Sequence, residues 1–198
     1  MADEPGNQKH EPYTEEELAA IWVDGGPPKL TGPIAVVDYD SEWPRLYRRE
    51  ADRITALLGE RALLIEHVGS TAVPGLAAKP IIDIDLVVAD SADEMDYLPG
   101  LEAAGYRLVI REPDWYGHRC LKGPDTNVNL HVYSEGCPEV ERNLTFRDRL
   151  RADDADRDLY ARTKRELASR EWTYIQQYAD AKTQIVTEIL QRAASGHR

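Results

Sequence analysis

The stretch IEHVGSTAVPGLAAKPIIDIDL, residues 65–86, decides the fold of this chain. It starts with an apolar segment that predicts a buried strand, turns at Gly69-Ser70, and ends in a second predicted strand. In that second strand Asp83 and Asp85 alternate with apolar residues, so both carboxylates are expected on one face of a sheet. A strand this apolar is typical of the centre of a sheet, where an ionised aspartate is costly unless it is paired or bound to a metal ion.

The spacing of the two aspartates favours a shared ligand. Alternate residues of a strand lie roughly 6.5–7 Å apart along the backbone, so Asp83 and Asp85 can converge on one divalent cation. The turn at Gly69-Ser70 adds backbone N–H groups and a hydroxyl that can cradle a phosphate. The alternative is structural, with one aspartate paired with Lys79 or Arg119 and the other accepting backbone hydrogen bonds. We favour a functional site.

Composition and charge narrow the choice of partners. The chain has 198 residues, 42% of them hydrophobic, which is enough for one domain with a substantial core. Its net charge is −12, with 12 Lys+Arg against 25 Asp+Glu in residues 1–137 and 12 against 11 in residues 138–198. An acidic chain disfavours binding to a nucleic-acid backbone, so nucleic acid is not expected as a partner. A small anionic substrate held by a few local cations is compatible with this charge.

The cysteines and the N-terminus indicate the cellular compartment. Cys120 and Cys137 have no CxxC spacing, so they predict neither a zinc site nor a disulfide framework. Reduced thiols are typical of the cytoplasm, where we expect the protein. The sequence has no signal peptide and no long apolar run, and we therefore expect neither secretion nor a membrane-spanning segment.

The chain divides by pattern into three parts. Residues 1–33 predict an N-terminal extension and linker, with disorder over residues 1–12 and a short helix that starts at Thr14. Residues 34–137 alternate between helical and strand periodicity and predict the core. Residues 138–198 are helical and are expected to pack on the core or to form a homo-oligomer interface. This order is typical of an α+β or mixed α/β arrangement with a small sheet.

Turn and capping signals set the expected boundaries within the core. Ser41 and Ser91 are predicted to cap helices, and Gly59 and Gly105 to end them. The predicted strands cover residues 34–37, 62–68, 80–89, 106–110, 115–121 and 127–133, and the last two are expected to form a strand pair.

The central stretch resembles known proteins at two levels. Gly69-Ser70, followed after twelve residues by Asp83-Ile84-Asp85, resembles the GS…DxD signature of the nucleotidyltransferase superfamily, whose fold is like the palm of DNA polymerase β. More specifically, EHVGSTAVPGLAAKPIIDI, residues 66–84, resembles the GrpB family, also known as an uncharacterised protein family. The similarity continues through EPDWYGHR at 112–119, NLHV at 129–132 and FRDRLR at 146–151, and covers about residues 34–194.

The resemblance implies an α+β, nucleotidyltransferase-like mixed β-sheet flanked by helices. It implies that Gly69 and Ser70 form the phosphate-binding turn and that Asp83 and Asp85 bind Mg²⁺ or Mn²⁺. Active members of the superfamily usually add a third carboxylate on a later strand, whereas the matching strand here offers His131. His131 is therefore a candidate third metal ligand or general base, or it marks a site that binds nucleotide without transferring it.

Three basic residues are candidates for binding nucleotide phosphates. Lys79 precedes the aspartate strand and can contact a phosphate or pair with a carboxylate. Arg119 can reach a phosphate, although a surface ion pair is an equally good interpretation. Arg147 belongs to a cationic segment, residues 142–151, which would clamp a triphosphate or an acidic co-substrate if its helix closes over the sheet. A solvated helix face is the alternative.

Two hypotheses follow. The first is a metal-dependent nucleotidyltransferase that transfers a nucleotidyl group from a nucleoside triphosphate to an unknown small acceptor, with Asp83, Asp85 and His131 as catalytic and metal-binding residues. The second is a non-catalytic regulatory module that binds a nucleotide or a coenzyme A-related ligand, because GrpB-like domains also resemble a segment fused behind dephospho-coenzyme A kinase in some actinobacteria. The missing third carboxylate favours the second hypothesis. The residues assigned to nucleotide binding are Gly69, Ser70, Lys79, Arg119 and Arg147.

Overall fold

The computed structural model describes residues 13–24, 26–27 and 29–195, so the disorder expected over residues 1–12 lies outside the described residues. No helix within these ranges is both long and apolar enough to cross a membrane. The helices are α1 Glu15–Ile21, α2 Trp43–Leu58, α3 Glu94–Ala103, α4 Pro138–Ala152, α5 Asp154–Ala168, α6 Ile175–Asp180 and α7 Thr183–Ser195. The strands are β1 Leu64–Val68, β2 Ile82–Val88, β3 Arg107–Glu112, β4 His118–Lys122 and β5 Val128–Ser134.

The strands form one mixed sheet in the order β1-β2-β5-β4-β3. β2 and β5 run parallel, and the other neighbours run antiparallel. Parallel neighbours need a crossover connection, and here α3, β3 and β4 supply it. The arrangement confirms the predicted α+β fold with a small mixed sheet flanked by helices, and β4 and β5 form the predicted strand pair.

The alternation of residues along β2 gives the sheet two chemically different faces. Ile82, Ile84 and Leu86 are buried in an apolar cluster with residues of α2, α3 and β5. Full burial of a side chain of this size contributes about 1.5–3 kcal/mol to stability. Asp83 and Asp85 alternate with these residues, so the sheet presents them on its other face.

The C-terminal helices pack on the loop that follows the glycine turn. Val73 and Leu76 of this loop are fully buried against Leu150 of α4 and Ile189 of α7. This contact anchors residues 138–195 to the segment between β1 and β2. As a result, side chains of α4 and α5 reach the polar face of the sheet.

Residues 34–37 do not form the predicted strand. Of these four residues only Val37 pairs, in an isolated bridge with Ala78. Ile34 instead packs against Leu167 and Tyr178 of the C-terminal helices. Burial of a short apolar segment against helices satisfies the same sequence pattern as pairing in a sheet, and periodicity alone does not separate the two.

The two predicted serine caps are also wrong. The N-cap position of α2 is Glu42 rather than Ser41, and no side chain makes a capping hydrogen bond there. α3 begins at Glu94, whereas the buried Ser91 donates a hydrogen bond to the carbonyl of Gly117 at 2.8 Å. A serine hydroxyl can satisfy a loop carbonyl as readily as a helix end, so its presence does not decide where a helix starts.

Both edge strands of the sheet are covered. Beside β1, the hydroxyl of Tyr47 donates to the carbonyl of Ile65, and Arg147 Nη1 donates to the carbonyl of His67, both at 3.0 Å. The segment after α1 covers β3. Its backbone pairings join Trp22 with Ile110 and Val23 with Val109.

Candidate active site

The polar face of the sheet brings most of the predicted acidic and imidazole side chains together. On β5, Asn129 lies opposite Asp83 and His131 lies opposite Asp85. On β1, Glu66 lies opposite Asp85. Side chains directly opposite each other on neighbouring strands have Cβ atoms about 4.5–5.5 Å apart, which places these groups within reach of a common ligand.

Asp85 is fully buried, and one of its oxygens lacks a partner. Asn143 of α4 donates to Oδ2 at 3.0 Å, whereas Oδ1 has no hydrogen-bond partner among the described residues. Burial raises the pKa of Asp85 to about 6, because the ionised form loses its hydration. A divalent cation would satisfy the orphaned oxygen and favour the ionised form.

Asp83 is the more accessible carboxylate, with 29% of its side chain exposed. Asn129 Nδ2 donates to Oδ1 at 2.7 Å, and His131 Nε2 lies 3.8 Å from the same oxygen. Partial burial acts to raise the pKa of Asp83, but the interactions with His131 and Asn129 outweigh it and hold the pKa below the usual value. Asp83 is therefore ionised at neutral pH.

Gly69 contacts the Asp83 carboxylate through its backbone. Its φ of 68° and ψ of −169° fall in a region that is essentially restricted to glycine. A Cβ at this position would lie 2.6 Å from Asp83 Oδ2, so only glycine allows the approach. A single 3₁₀ turn, Ser70–Ala72, follows. The glycine turn and Asp83, which belong to the same sequence motif, are thus in contact.

A chain of hydrogen bonds runs from His131, the neighbour of Asp83, into the interior. His118 Nε2 lies 3.0 Å from His131 Nδ1, and His118 Nδ1 lies 2.6 Å from Glu112 Oε2. The hydroxyl of Tyr13 donates to the other oxygen of Glu112 at 2.7 Å. His118 and Glu112 are buried, so this network is shielded from solvent.

The network determines which imidazole nitrogens carry protons. Burial lowers the pKa of His118, which is therefore neutral near pH 7. Its Nδ1–H donates to Glu112, so its Nε2 accepts a hydrogen bond from His131 Nδ1–H. Burial acts to lower the pKa of His131, but the Asp83 carboxylate more than offsets this and raises it. A protonated His131 then faces Asp83 with Nε2–H.

Ser70 is hydrogen-bonded to a residue that the sequence analysis did not select. Lys164 of α5 is buried, and its Nζ donates to Ser70 Oγ at 2.9 Å and to the carbonyl of Ala77 at 2.5 Å. Burial, together with the charges of Lys182 and Arg165, lowers the pKa of Lys164 to about 6. A largely neutral amine therefore lies beside the glycine turn at neutral pH.

Three more lysines surround Asp83. Lys122 Nζ donates to Asn129 Oδ1 at 2.5 Å, and Asn129 in turn donates to Asp83. Burial and the charge of Lys182 lower the pKa of Lys79 to about 8, and burial also lowers the pKa of Lys182. Asp83 opposes the shift at both lysines, which indicates that they lie near its carboxylate. Within an acidic chain, this group of lysines makes a local cationic environment.

The two predicted arginines lie at different places. Arg147 is buried at the β1 side of the polar face, where its Nη1 pairs with Glu66 at 2.6 Å. Arg119 is paired with Val132 of β5, a residue of the apolar face, and its Nε pairs with Glu94 of α3 at 2.6 Å. The structure therefore does not bring Arg119 together with Asp83, and we leave it out of the candidate site.

Asp83 and Asp85 are the residues best suited to a metal ion. Within the described ranges, no group of three or more His, Cys, Asp or Glu side chains is arranged to hold one. Mg²⁺ commonly uses one or two carboxylates and completes its shell with water and substrate phosphates, and the aspartate pair fits this pattern. His131 fits less well, because its Nδ1 is engaged with His118 and hard cations prefer oxygen.

Lys164, Asn143 and Glu66 are among the site residues that the sequence analysis missed. Lys164 and Asn143 are 94 and 58 residues from their hydrogen-bond partners Ser70 and Asp85, so no local spacing reveals them. Glu66 did carry a signal. Glu66 and Val68 alternate along the strand before the turn, so their side chains lie on the same face of the sheet. This is the face that Asp83 and Asp85 share.

The chain is similar to known proteins in both sequence and structure. The family model of the GrpB protein matches residues 33–192. A UPF0157 protein of Halalkalibacterium halodurans is 58% identical over 182 residues, 92% of this chain and 93% of that protein. The crystal structure of the conserved protein GrpB from Enterococcus faecalis has a TM-score of 0.72 at 32% identity and covers 82% of this chain and 99% of that chain.

A more distant likeness concerns the fold alone. The crystal structure of the Cid1 poly(U) polymerase, with Mg and 3′-dATP bound, has a TM-score of 0.51 at 10% identity. The match covers 66% of this chain and 44% of the polymerase. The fold described above is therefore nucleotidyltransferase-like.

Proposed function

Since this chain belongs to the GrpB family and has a nucleotidyltransferase-like fold, we propose that it transfers a nucleotidyl group from a nucleoside triphosphate to a small acceptor. One observation carries the proposal. Asp83 and Asp85 share a face of the central strand, and the Gly69 turn contacts the first of them. A phosphate-binding turn next to paired carboxylates is the arrangement that phosphoryl chemistry requires.

The aspartate pair would hold Mg²⁺ or Mn²⁺. When bound, such a cation polarises the reacting phosphate and offsets the charge that develops in the transition state. Asp85 would contribute its orphaned Oδ1, and Asp83 its partly exposed carboxylate. The two aspartates differ in their surroundings, because Asn143 fixes Asp85 through a hydrogen bond whereas the carboxylate of Asp83 is partly exposed.

The nucleotide would lie over the glycine turn. The Ser70 hydroxyl and the lysines around Asp83 would contact its phosphates. Lys164 of α5 lies beside Ser70, and Lys79 lies in the loop before β2. An anionic phosphate beside Lys164 would raise the pKa of this amine, so that Lys164 becomes protonated when the nucleotide binds. The chemical step forms a phosphorus–oxygen bond to the acceptor, breaks the bond between the α-phosphate and the leaving oxygen, and releases pyrophosphate.

His131 would handle the proton of the acceptor hydroxyl. In its neutral form Nε2 offers a lone pair to this proton, and in its protonated form it compensates the charge of Asp83. His118 and Glu112 would hold the imidazole in place through Nδ1. This assignment gives His131 the role of a base in preference to that of a third metal ligand.

Calorimetric titration tests the proposal. A panel of nucleoside triphosphates is titrated in the presence of Mg²⁺ or Mn²⁺ into the parent protein and into Asp83→Asn. We expect metal-dependent binding of at least one nucleotide to the parent and its loss in the variant, while the circular dichroism spectrum stays unchanged. Equal binding by both proteins, or no binding of any triphosphate, would overturn the assignment.

The second candidate function is a module that binds a nucleotide or a coenzyme A-related ligand without transferring it. The observation that favours it is the strand beside β2, which carries His131 where active members of the superfamily carry a carboxylate. A labelled triphosphate distinguishes the two functions. Binding without release of pyrophosphate, across a broad set of small hydroxyl compounds, would favour the module, whereas pyrophosphate release with any of them would favour the enzyme.

A further inference from the structure

A cavity of about 370 Å³ lies at the outer edge of β1, beside the candidate site. Its walls come from the segment before α2 and the first half of this helix, from the end of β1 with the loop that follows it, and from α4. Its volume is in the range of sites that bind small molecules.

The cavity is cationic in a chain that carries a net charge of −12. Arg48, Arg147 and Arg151 line it, and Glu66 is the carboxylate among its lining residues. Arg147 and Arg151 are held in place, since they donate to the carbonyls of His67 and Ala72 and both pair with Asp148. The three arginines outnumber Glu66 and Asp148, so a net positive charge remains at the cavity and favours an oxyanion.

Arg48 is the cation available to a ligand. It is exposed on α2, and within the described chain it forms no hydrogen bond or ion pair. By contrast, Arg45 on the same helix pairs with Glu42 at 2.5 Å and does not line the cavity. An unpaired arginine at the mouth of a cationic cavity can add a third contact to an anion without first breaking another.

Aromatic rings form the remaining wall. Tyr47 stacks on His67 with ring centroids 4.7 Å apart, and Tyr39 lines the cavity next to them. The Tyr47 hydroxyl is bound to the carbonyl of Ile65, which fixes the ring. Burial lowers the pKa of His67 to about 4, so the stacked pair is neutral at physiological pH and presents an apolar surface.

The cavity is one strand away from the carboxylate pair. Glu66 lines the cavity and is the direct cross-strand neighbour of Asp85. α4 makes the same link, because Asn143 contacts Asp85 and, one turn later, Arg147 contacts Glu66. Neighbouring strands lie about 4.8 Å apart, so the cavity lies close to the carboxylate pair.

We infer that this cavity binds the acceptor substrate, and that the acceptor is a small molecule with a carboxylate or phosphate group and a hydroxyl. The anionic group would lie among the three arginines, and the hydroxyl would point across Glu66 toward Asp85 and Asp83. This inference rests on the proposed nucleotidyl transfer. The acceptor would thus belong to a defined chemical class and would bind in a cavity separate from the lysines around Asp83.

Nuclear magnetic resonance tests the cavity without a reaction. Inorganic phosphate and malonate are titrated separately into the parent, Arg48→Glu and the matched control Arg45→Glu, and the backbone amides of His67 and Ala72 report binding. We expect saturable shifts with at least one anion, an affinity weakened roughly tenfold or more in Arg48→Glu, and no change in Arg45→Glu. The anion that binds more tightly distinguishes a phosphate from a carboxylate acceptor.

The outcomes separate this inference from the proposed function. Equal anion affinity in Arg48→Glu and the parent, or no saturable shift with either anion, would overturn the inference even where metal-dependent nucleotide binding is intact. Anion binding that is lost in Arg48→Glu and kept in Asp83→Asn supports a site distinct from the nucleotide site. Enhanced anion affinity in the presence of nucleotide and metal further supports the acceptor role.

Discussion

Gly69 and Asp83 are in such close contact that a Cβ at position 69 would lie 2.6 Å from Oδ2 of Asp83. The glycine also has a φ of 68°, so two separate constraints exclude a side chain there. The contact couples the shape of the turn to the position of the carboxylate. A change in one therefore displaces the other.

Gly69→Ala should damage binding more than stability. The methyl group pushes the Asp83 carboxylate away, and we expect metal-dependent nucleotide affinity to fall roughly a hundredfold, measured by calorimetry, with about 1–3 kcal/mol lost from the free energy of unfolding. Gly75→Ala is the control, because Gly75 has a φ of 78° and open space around it. It should cost about 1–2 kcal/mol of stability and leave the affinity unchanged.

Asp85→Asn should stabilise the protein while it removes metal binding. The variant replaces a fully buried carboxyl with an amide of the same shape, and the hydrogen bond from Asn143 can be kept. Because the buried charge is removed, we expect the free energy of unfolding, measured with urea in the presence of EDTA, to rise by about 1 kcal/mol or more. A marked loss of stability would mean that Asp85 is a structural residue.

Lys164→Met should weaken nucleotide binding through the glycine turn. Methionine keeps the length of the buried chain but leaves Ser70 Oγ without its hydrogen-bond donor. We expect an affinity for triphosphate about tenfold lower by calorimetry, with a smaller loss for the monophosphate. Arg162→Met, at an exposed position on the same helix, should leave both affinities unchanged.

The ion pairs of Glu94 should make stability depend on acidity. Hydrogen bonds from Arg111, and from Arg119, hold the pKa of Glu94 at about 2, below its usual value of 4.5. Since the folded pKa is lowered, the stabilisation is complete above the unfolded pKa and is lost as the pH falls from about 5 to about 2. We expect a loss of about 1–2 kcal/mol, reduced by partial solvation, in urea titrations over this range.

Two variants check the acid effect. Glu94→Gln should be less stable than the parent at pH 7 and should lose less stability than the parent on acidification. Glu102→Gln, at an exposed position on the same helix, should follow the parent at every pH. If Glu94→Gln has the parent's pH profile, another carboxylate is responsible for the acid sensitivity.

The central strand and its carboxylates could be predicted from the sequence because their signal is local. Alternation with a period of two places Asp83 and Asp85 on one face whatever the rest of the chain does. The same reasoning located the glycine turn and the β4–β5 pair. For the sheet as a whole, the prediction of a small mixed sheet is confirmed. The order of its strands could not be predicted, because pairing between distant strands has no short-range signature.

The cations of the site could not be assigned in the same way. Arg119 lies on β4, where alternation alone leaves open which face its side chain joins until the pairing with Val132 is known. Lys164 lies on a helix whose orientation depends on packing among Val73, Leu150 and Ile189. A long flexible side chain is placed by tertiary contacts, and these do not appear in the spacing of residues.

The covering of both sheet edges limits how two copies of this chain can meet. Tyr47 and Arg147 occupy the outward carbonyls of β1, and the backbone of Trp22 and Val23 occupies β3. A carbonyl that already accepts a hydrogen bond from a side chain is a poorer partner for another strand, so these contacts disfavour edge-to-edge pairing of two sheets. For a homo-oligomer of this protein, contacts between helix surfaces are therefore favoured over a continuous intermolecular sheet.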